Sequence, residues 1–190
     1  MVIGGMGAPL FLFLAGVAVV LSAESRLRKT GDFTGAWRGA RNRGWEVLGL
    51  AFLFRLQSYI LSGGYSAASL LKVDILNVMG PAMALTAIAG RMTKRRESRA
   101  VMFAALAVAV AMLTPPVRTT SLLNWLPDPI EWYFRPSPGR TNFTLFPWAG
   151  FVLAGAVAGV IIAGARDAKR AFRVQLGLAA GAVILAFLAY

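Results

Sequence analysis

Arg55 and Asp74 are the residues of this chain best placed to do chemistry. Arg55 stands inside the apolar run Phe52–Leu61, and Asp74 heads the next one, Val73–Gly90. A guanidinium at membrane depth costs at least ~2.5–3.5 kcal/mol, so it requires a partner or a polar cavity. Asp74 is the nearest acidic candidate in sequence. Gln57 and Asn77 add hydrogen-bonding capacity beside the two charges, and Asn77, three residues after Asp74, shares its helical face. Asn142 and Trp148 open a later apolar run and are expected to face the same vestibule near the outer interface. The expectation is a polar pocket lined by two helices. The plainer alternative is that Arg55 snorkels, Asp74 only caps a helix, Asn77 only packs helices and Trp148 is one tryptophan of an aromatic belt.

Several chemistries are excluded. The chain has no cysteine and no histidine, which removes thiolate nucleophiles, disulfides, the commonest general base and the commonest transition-metal ligands. No metal site is expected.

The elements that must position these residues are apolar helices. Hydrophobic residues make up 57% of the chain and charged residues only 15%, against ~25% in soluble domains; the mean hydropathy is +0.63. The fold class expected is an all-α, polytopic transmembrane bundle forming one domain. About six spans are expected, over residues 7–23, 46–63, 72–90, 99–115, 143–164 and 174–190. The fourth run, Ala100–Leu113, is short against the ~20 residues a bilayer needs, so Arg99 is expected to snorkel at its end. Gly155 and Gly159 form one GxxxG pattern and Gly177 and Gly181 another, which suits close helix packing and offers faces for a homo-oligomer.

Between the spans, residues 24–45 carry four glycines and scattered charges, which argue against a core helix; a solvated loop whose charges set topology is expected, the alternative being that part of it lies along the membrane surface with Phe33 and Trp37 dipping in. SYILSGGYSAAS reads as a short turn on the opposite side. DPIEWYF places Asp128 at a helix N-cap, Pro129 at the first position and Glu131 at the third, so a short interfacial helix is expected over residues 128–134, roofing a pocket. Asn142-Phe143-Thr144 fits the glycosylation pattern but also begins a helix. The first apolar run starts almost at residue 1, with its charges after it, and does not read as a signal peptide; it suggests a chain that begins mid-domain.

The net charge of +12 is not that of a nucleic-acid-binding face. Six of the 20 Lys and Arg fall in Glu24–Trp45, five in Arg91–Arg99 and four in Arg166–Arg173, in alternate connections, as the positive-inside rule demands. This places the basic segments in the cytoplasm and both termini outside. The partners expected are the lipid bilayer and anionic inner-leaflet lipids. Arg26, Arg28, Lys29, Lys94, Arg95 and Arg96 are candidates for holding the phosphates of a cytosolic donor.

Three stretches carry a family resemblance: GAPLFLFLAGVAVVLSAESRLRK (Gly7–Lys29), VDILNVMG (Val73–Gly80) and FTLFPWAGFVLAGAVAG (Phe143–Gly159). Together they resemble the heparan-α-glucosaminide N-acetyltransferase catalytic-domain family of multispanning membrane acyltransferases. The resemblance implies transfer of an acetyl group from cytosolic acetyl-CoA to a sugar-like amine or hydroxyl across a bacterial inner membrane. Asp74 matches the family's acidic position in D-I-L, and Pro147, Trp148 and Gly150 match P-W-x-G. The family's D-x-x-R-G-like opening and its N-terminal histidine have no counterpart here, so the chain is expected to be N-terminally incomplete or catalytically altered, with no residue assignable as catalytic. A non-enzymatic membrane protein, a small transporter or an assembly scaffold, is the alternative.

Overall fold

The computed structural model describes residues 3–61, 70–165 and 177. Five long helices dominate: α1 (Ile3–Thr30), α2 (Phe33–Leu61), α3 (Ile75–Met92), α4 (Arg96–Thr119) and α6 (Leu145–Gly164). A 3-10 turn (Ser121–Trp125) and the one-turn α5 (Asp128–Glu131) lie between α4 and α6. The described residues form an all-α bundle with one isolated bridge, Val73 to Thr141. Residues Gly7–Thr30, α3, α4 and α6 are each long and apolar enough to cross a membrane. The expected sixth span, the Arg166–Arg173 patch and the Gly177–Gly181 motif fall largely outside the described residues, as does most of the turn after α2.

The packing is built on small residues. A Cβ added to Gly16 would lie 1.9 Å from the Val152 carbonyl oxygen, and one on Gly155 would lie 1.8 Å from that of Phe13. Only glycine lets α1 and α6 cross so closely. The neighbour of the Gly155–Gly159 face is therefore α1 of the same chain. A second glycine crossing joins α2 to α3, where Gly44 meets Gly80 and Ala84. Such contacts matter because lipid tails are as apolar as the helices, leaving van der Waals packing to drive association. These contacts set α1 parallel to α6, with Phe13 at Gly155 and Val17 at Gly159, and α2 antiparallel to α3, with Gly44 at Ala84 and Leu48 at Gly80.

The segment 24–45 is not a loop. Helix α1 continues to Thr30, and the break occupies only Gly31 and Asp32. Gly31 adopts φ 68°, the left-handed conformation of a helix stop, and its N–H donates to Leu27 O at 2.9 Å. Asp32 then caps α2 by accepting from Gly35 N at 2.9 Å. The glycines that argued against a helix lie on α2, where Ala36, Trp37, Ala40 and Gly44 form a buried stripe and the arginines take the other faces. Trp37 does not lie in the membrane surface; it is packed with Val20, Ala87 and Phe103 in the core.

Two further expectations change. Helix α4 spans Arg96–Thr119, well beyond 99–115. The cap of α5 is Pro127 rather than Asp128, without a side-chain capping bond, and the helix ends at Glu131. Glu131 binds Arg135 at 2.8 Å instead of turning back to a cap.

Candidate functional site

Arg55 and Asp74 form an ion pair, with 19% and 34% of their side chains exposed. Asp74 stands immediately before Ile75, at the N-terminus of α3, where the helix dipole favours a carboxylate. Its own N–H donates to Asn77 Oδ1 at 3.2 Å, which fixes the first turn. Asn142 Nδ2 donates to Asp74 Oδ1 at 2.7 Å. Asn142 is placed there by backbone bonds on both sides of Val73: Val73 N to Arg140 O and Asn142 N to Val73 O, both 3.0 Å. The returning segment is thus clamped onto the head of α3.

Tyr133 completes the cluster through a side-chain hydrogen bond with Asn77; burial pushes its phenol above the usual range, and that bond pulls the other way. Its carbonyl accepts from Leu145 N at 2.7 Å, tying the segment after α5 to the start of α6. A cavity of about 230 Å³ opens beside the ion pair, lined by Ala51, Phe54, Arg55, Ser58, Asp74 and Asn77. The cavity thus presents a carboxylate, a guanidinium, one amide and the Ser58 hydroxyl, with Asn142 and Tyr133 bound behind to Asp74 and Asn77. Such a set can orient an amine or hydroxyl and accept its proton.

The structure thus brings together Arg55, Asp74, Asn77 and Asn142. Gln57 is not with them. It is exposed, because two residues along a helix turn the side chain about 200° from Arg55; Ser58, at i+3, takes the expected place. Trp148 lies one layer behind, edge-on to Phe143 at 4.8 Å and against Phe151 at 5.8 Å, packing on the cluster of Leu12, Met79 and Val152. Thr144 is buried and donates to Phe146 O at 2.6 Å.

At the basic end of the bundle lies a network that the sequence does not announce. Glu24 is buried and accepts from Arg99 Nη1 at 2.6 Å and from Arg96 Nη2 at 2.9 Å. Arg99 does not snorkel. It is 1% exposed, donates to Thr93 O and Lys94 O, and lies over the rings of Trp37 at 4.8 Å and Phe33 at 5.5 Å. Of the six phosphate candidates, Arg26, Arg28, Lys29, Lys94 and Arg95 are exposed, and Arg96 is engaged by Glu24. Tyr133, Glu24 and Arg99 are the residues that sequence reasoning missed as site or core members. Their partners are distant in the chain, and only the unusual position of a charge at the end of an apolar run marks Glu24 and Arg99.

An all-α bundle with four helices long and apolar enough to cross a membrane defines an integral membrane protein, and the Arg55–Asp74 pair gives it a polar cluster at the head of α3. The family model described as heparan-alpha-glucosaminide N-acetyltransferase, catalytic, matches residues 1–188, and the chain belongs to that family. No curated protein and no solved structure matches the chain.

Proposed function

We propose that this protein takes part in transferring an acetyl group from acetyl-CoA to a sugar-like acceptor, with the Arg55–Asp74 cavity as the acceptor side. The observation that carries this reading is the family match over residues 1–188, which supports a membrane acetyltransferase-like role. In the reaction an acceptor nitrogen or oxygen attacks the acetyl carbonyl, the carbon–sulfur bond breaks, and coenzyme A leaves as a thiol. The proton lost by the acceptor goes to a base and then to the sulfur. Asp74 is the carboxylate offered to that proton, with Arg55 paired to it and Asn142 holding it oriented.

The basic end would face the cytoplasm of a bacterial inner membrane, where Arg28, Lys29, Lys94 and Arg95 supply positive charge for donor phosphates and anionic lipids. The acceptor would then enter from the far side, under the segment that carries Tyr133. A homo-oligomer would use a face other than Gly155–Gly159, which α1 covers.

The test is release of free thiol from acetyl-CoA by the purified chain in proteoliposomes supplied with an amino sugar. Turnover that falls at least 100-fold in Asp74→Asn supports the reading. A folded wild-type protein that neither binds acetyl-CoA nor releases thiol overturns it and favours a non-enzymatic role.

A further inference from the structure

Arg38, Arg41 and Arg91 gather at the basic end in one cleft that no carboxylate lines. Glu24 is taken by Arg96 and Arg99, Glu46 by Arg43, and Asp32 by the cap of α2. Among the described residues none pairs with Arg38, Arg41 or Arg91. These three line one cleft of about 380 Å³ with Trp37, Ile88 and Met92. Arg38 and Arg41 are i and i+3 on α2 and share a face, and Arg91 faces them from the last turn of the antiparallel α3. Arg41 also carries a buried Nε with no hydrogen-bond partner, an unmet donor at the cleft wall. The wall itself is fixed. Trp37 is held by Arg99 over its ring at 4.8 Å and by Gly90, whose absent Cβ would lie 2.3 Å from Trp37 Cζ3.

We propose that this cleft is a binding site for a phosphate ester. Guanidinium forks match phosphate oxygens in pairs, and three of them without acids need an anion to offset their mutual repulsion. The exposed Ile88 and Met92 beside them give an apolar edge along which a ligand's carbon chain lies. The ligand therefore has a phosphate head and an apolar or amide-bearing tail. Two sources have that chemistry: the phosphates of coenzyme A and the headgroup of an anionic phospholipid. Only the first rests on the acetyl-transfer reading. The cleft sits about 20–25 Å along α2 from Arg55, from 14 to 17 residues at ~1.5 Å each, so it is separate from the acceptor cavity.

The experiment compares the full chain with Arg38→Gln, Arg41→Gln, Arg91→Gln and the triple variant, using Arg43→Gln as a charge control. Coenzyme A binding is measured by calorimetry in detergent, and retention of phosphatidylglycerol over phosphatidylcholine by native mass spectrometry. Thermal midpoints check folding. For one of the two probes, each single change should weaken binding at least fivefold and the triple change at least 50-fold, with Arg43→Gln unchanged. Loss confined to coenzyme A assigns the soluble donor. Loss confined to phosphatidylglycerol assigns the lipid and leaves acetyl transfer to stand or fall on thiol release. Wild-type binding of both probes by a folded triple variant, equal loss in Arg43→Gln, or no binding of either probe by wild type overturns the proposal.

Discussion

Glu24 on α1 and Arg99 on α4, 75 residues apart in the chain, meet at 2.6 Å with 2% and 1% of their side chains exposed. Removing Glu24 leaves Arg99 buried without its counter-charge, and removing Arg99 leaves buried Glu24 with only the half-exposed Arg96; removing both leaves a packing defect and an Arg96 that solvent can reach. Glu24→Leu or Arg99→Met alone should destabilise the bundle by about 3–5 kcal/mol, and the double variant should recover at least half of that loss. Thermal unfolding in detergent, followed as a double-mutant cycle, measures it. Additive losses would mean that the two side chains do not stabilise each other.

The α1–α6 crossing makes a sharper steric prediction. Gly155→Ala places a methyl against the Phe13 backbone, where no side chain can move aside, and should cost roughly 1–3 kcal/mol or more. Gly49→Ala, with nothing within 4 Å of the new carbon, should be neutral or stabilise α2 by up to about 1 kcal/mol. The pair of substitutions is read by thermal midpoints; a tolerated Gly155→Ala would mean that the helices do not cross there.

Arg55 and Asp74 should separate stability from activity. Asp74→Ala strands a guanidinium that is mostly buried and should cost about 1–3 kcal/mol, the range for a fully buried pair reduced for partial exposure, and lower the expression level. Arg55→Leu removes the cation itself, so folding should survive while thiol release from acetyl-CoA falls at least 100-fold. Expression yield and turnover are measured together. Silence of both variants in both assays would leave the pair without a role.

Tyr133 gives the pH prediction. Its folded pKa is raised above 10.0 by burial, so the folded protein holds the phenol proton more tightly than the unfolded chain does. That contribution is complete below pH 10 and is lost as pH rises toward the folded value. Wild type should therefore exceed Tyr133→Phe in thermal midpoint at pH 8, and the gap should shrink above pH 10. A gap that stays constant from pH 8 to 11 would show that the phenol is not buried against Asn77.

Sequence alone determined the class of this protein and the charged pair at the centre of its cavity. Long apolar runs leave the backbone no option in lipid except helices, and a charge inside such a run needs a counter-charge, so Arg55 and Asp74 pointed to each other through local composition. The small residues at Gly155 and Gly159 likewise announced a close crossing. Tertiary structure decided what pairs across the bundle. Glu24 read as one charge of a basic connection and Arg99 as a snorkelling charge at a span end, because the two are 75 residues apart and nothing local links them. The α2 extension through Phe33–Trp45 was hidden for the same reason: glycines that weaken an isolated helix become close-packing positions once α3 lies against them. Helical phase, invisible in composition, exchanged Gln57 for Ser58. The chain's chemistry is thus carried by residue type, and its assignment to one face or another by how the helices pack.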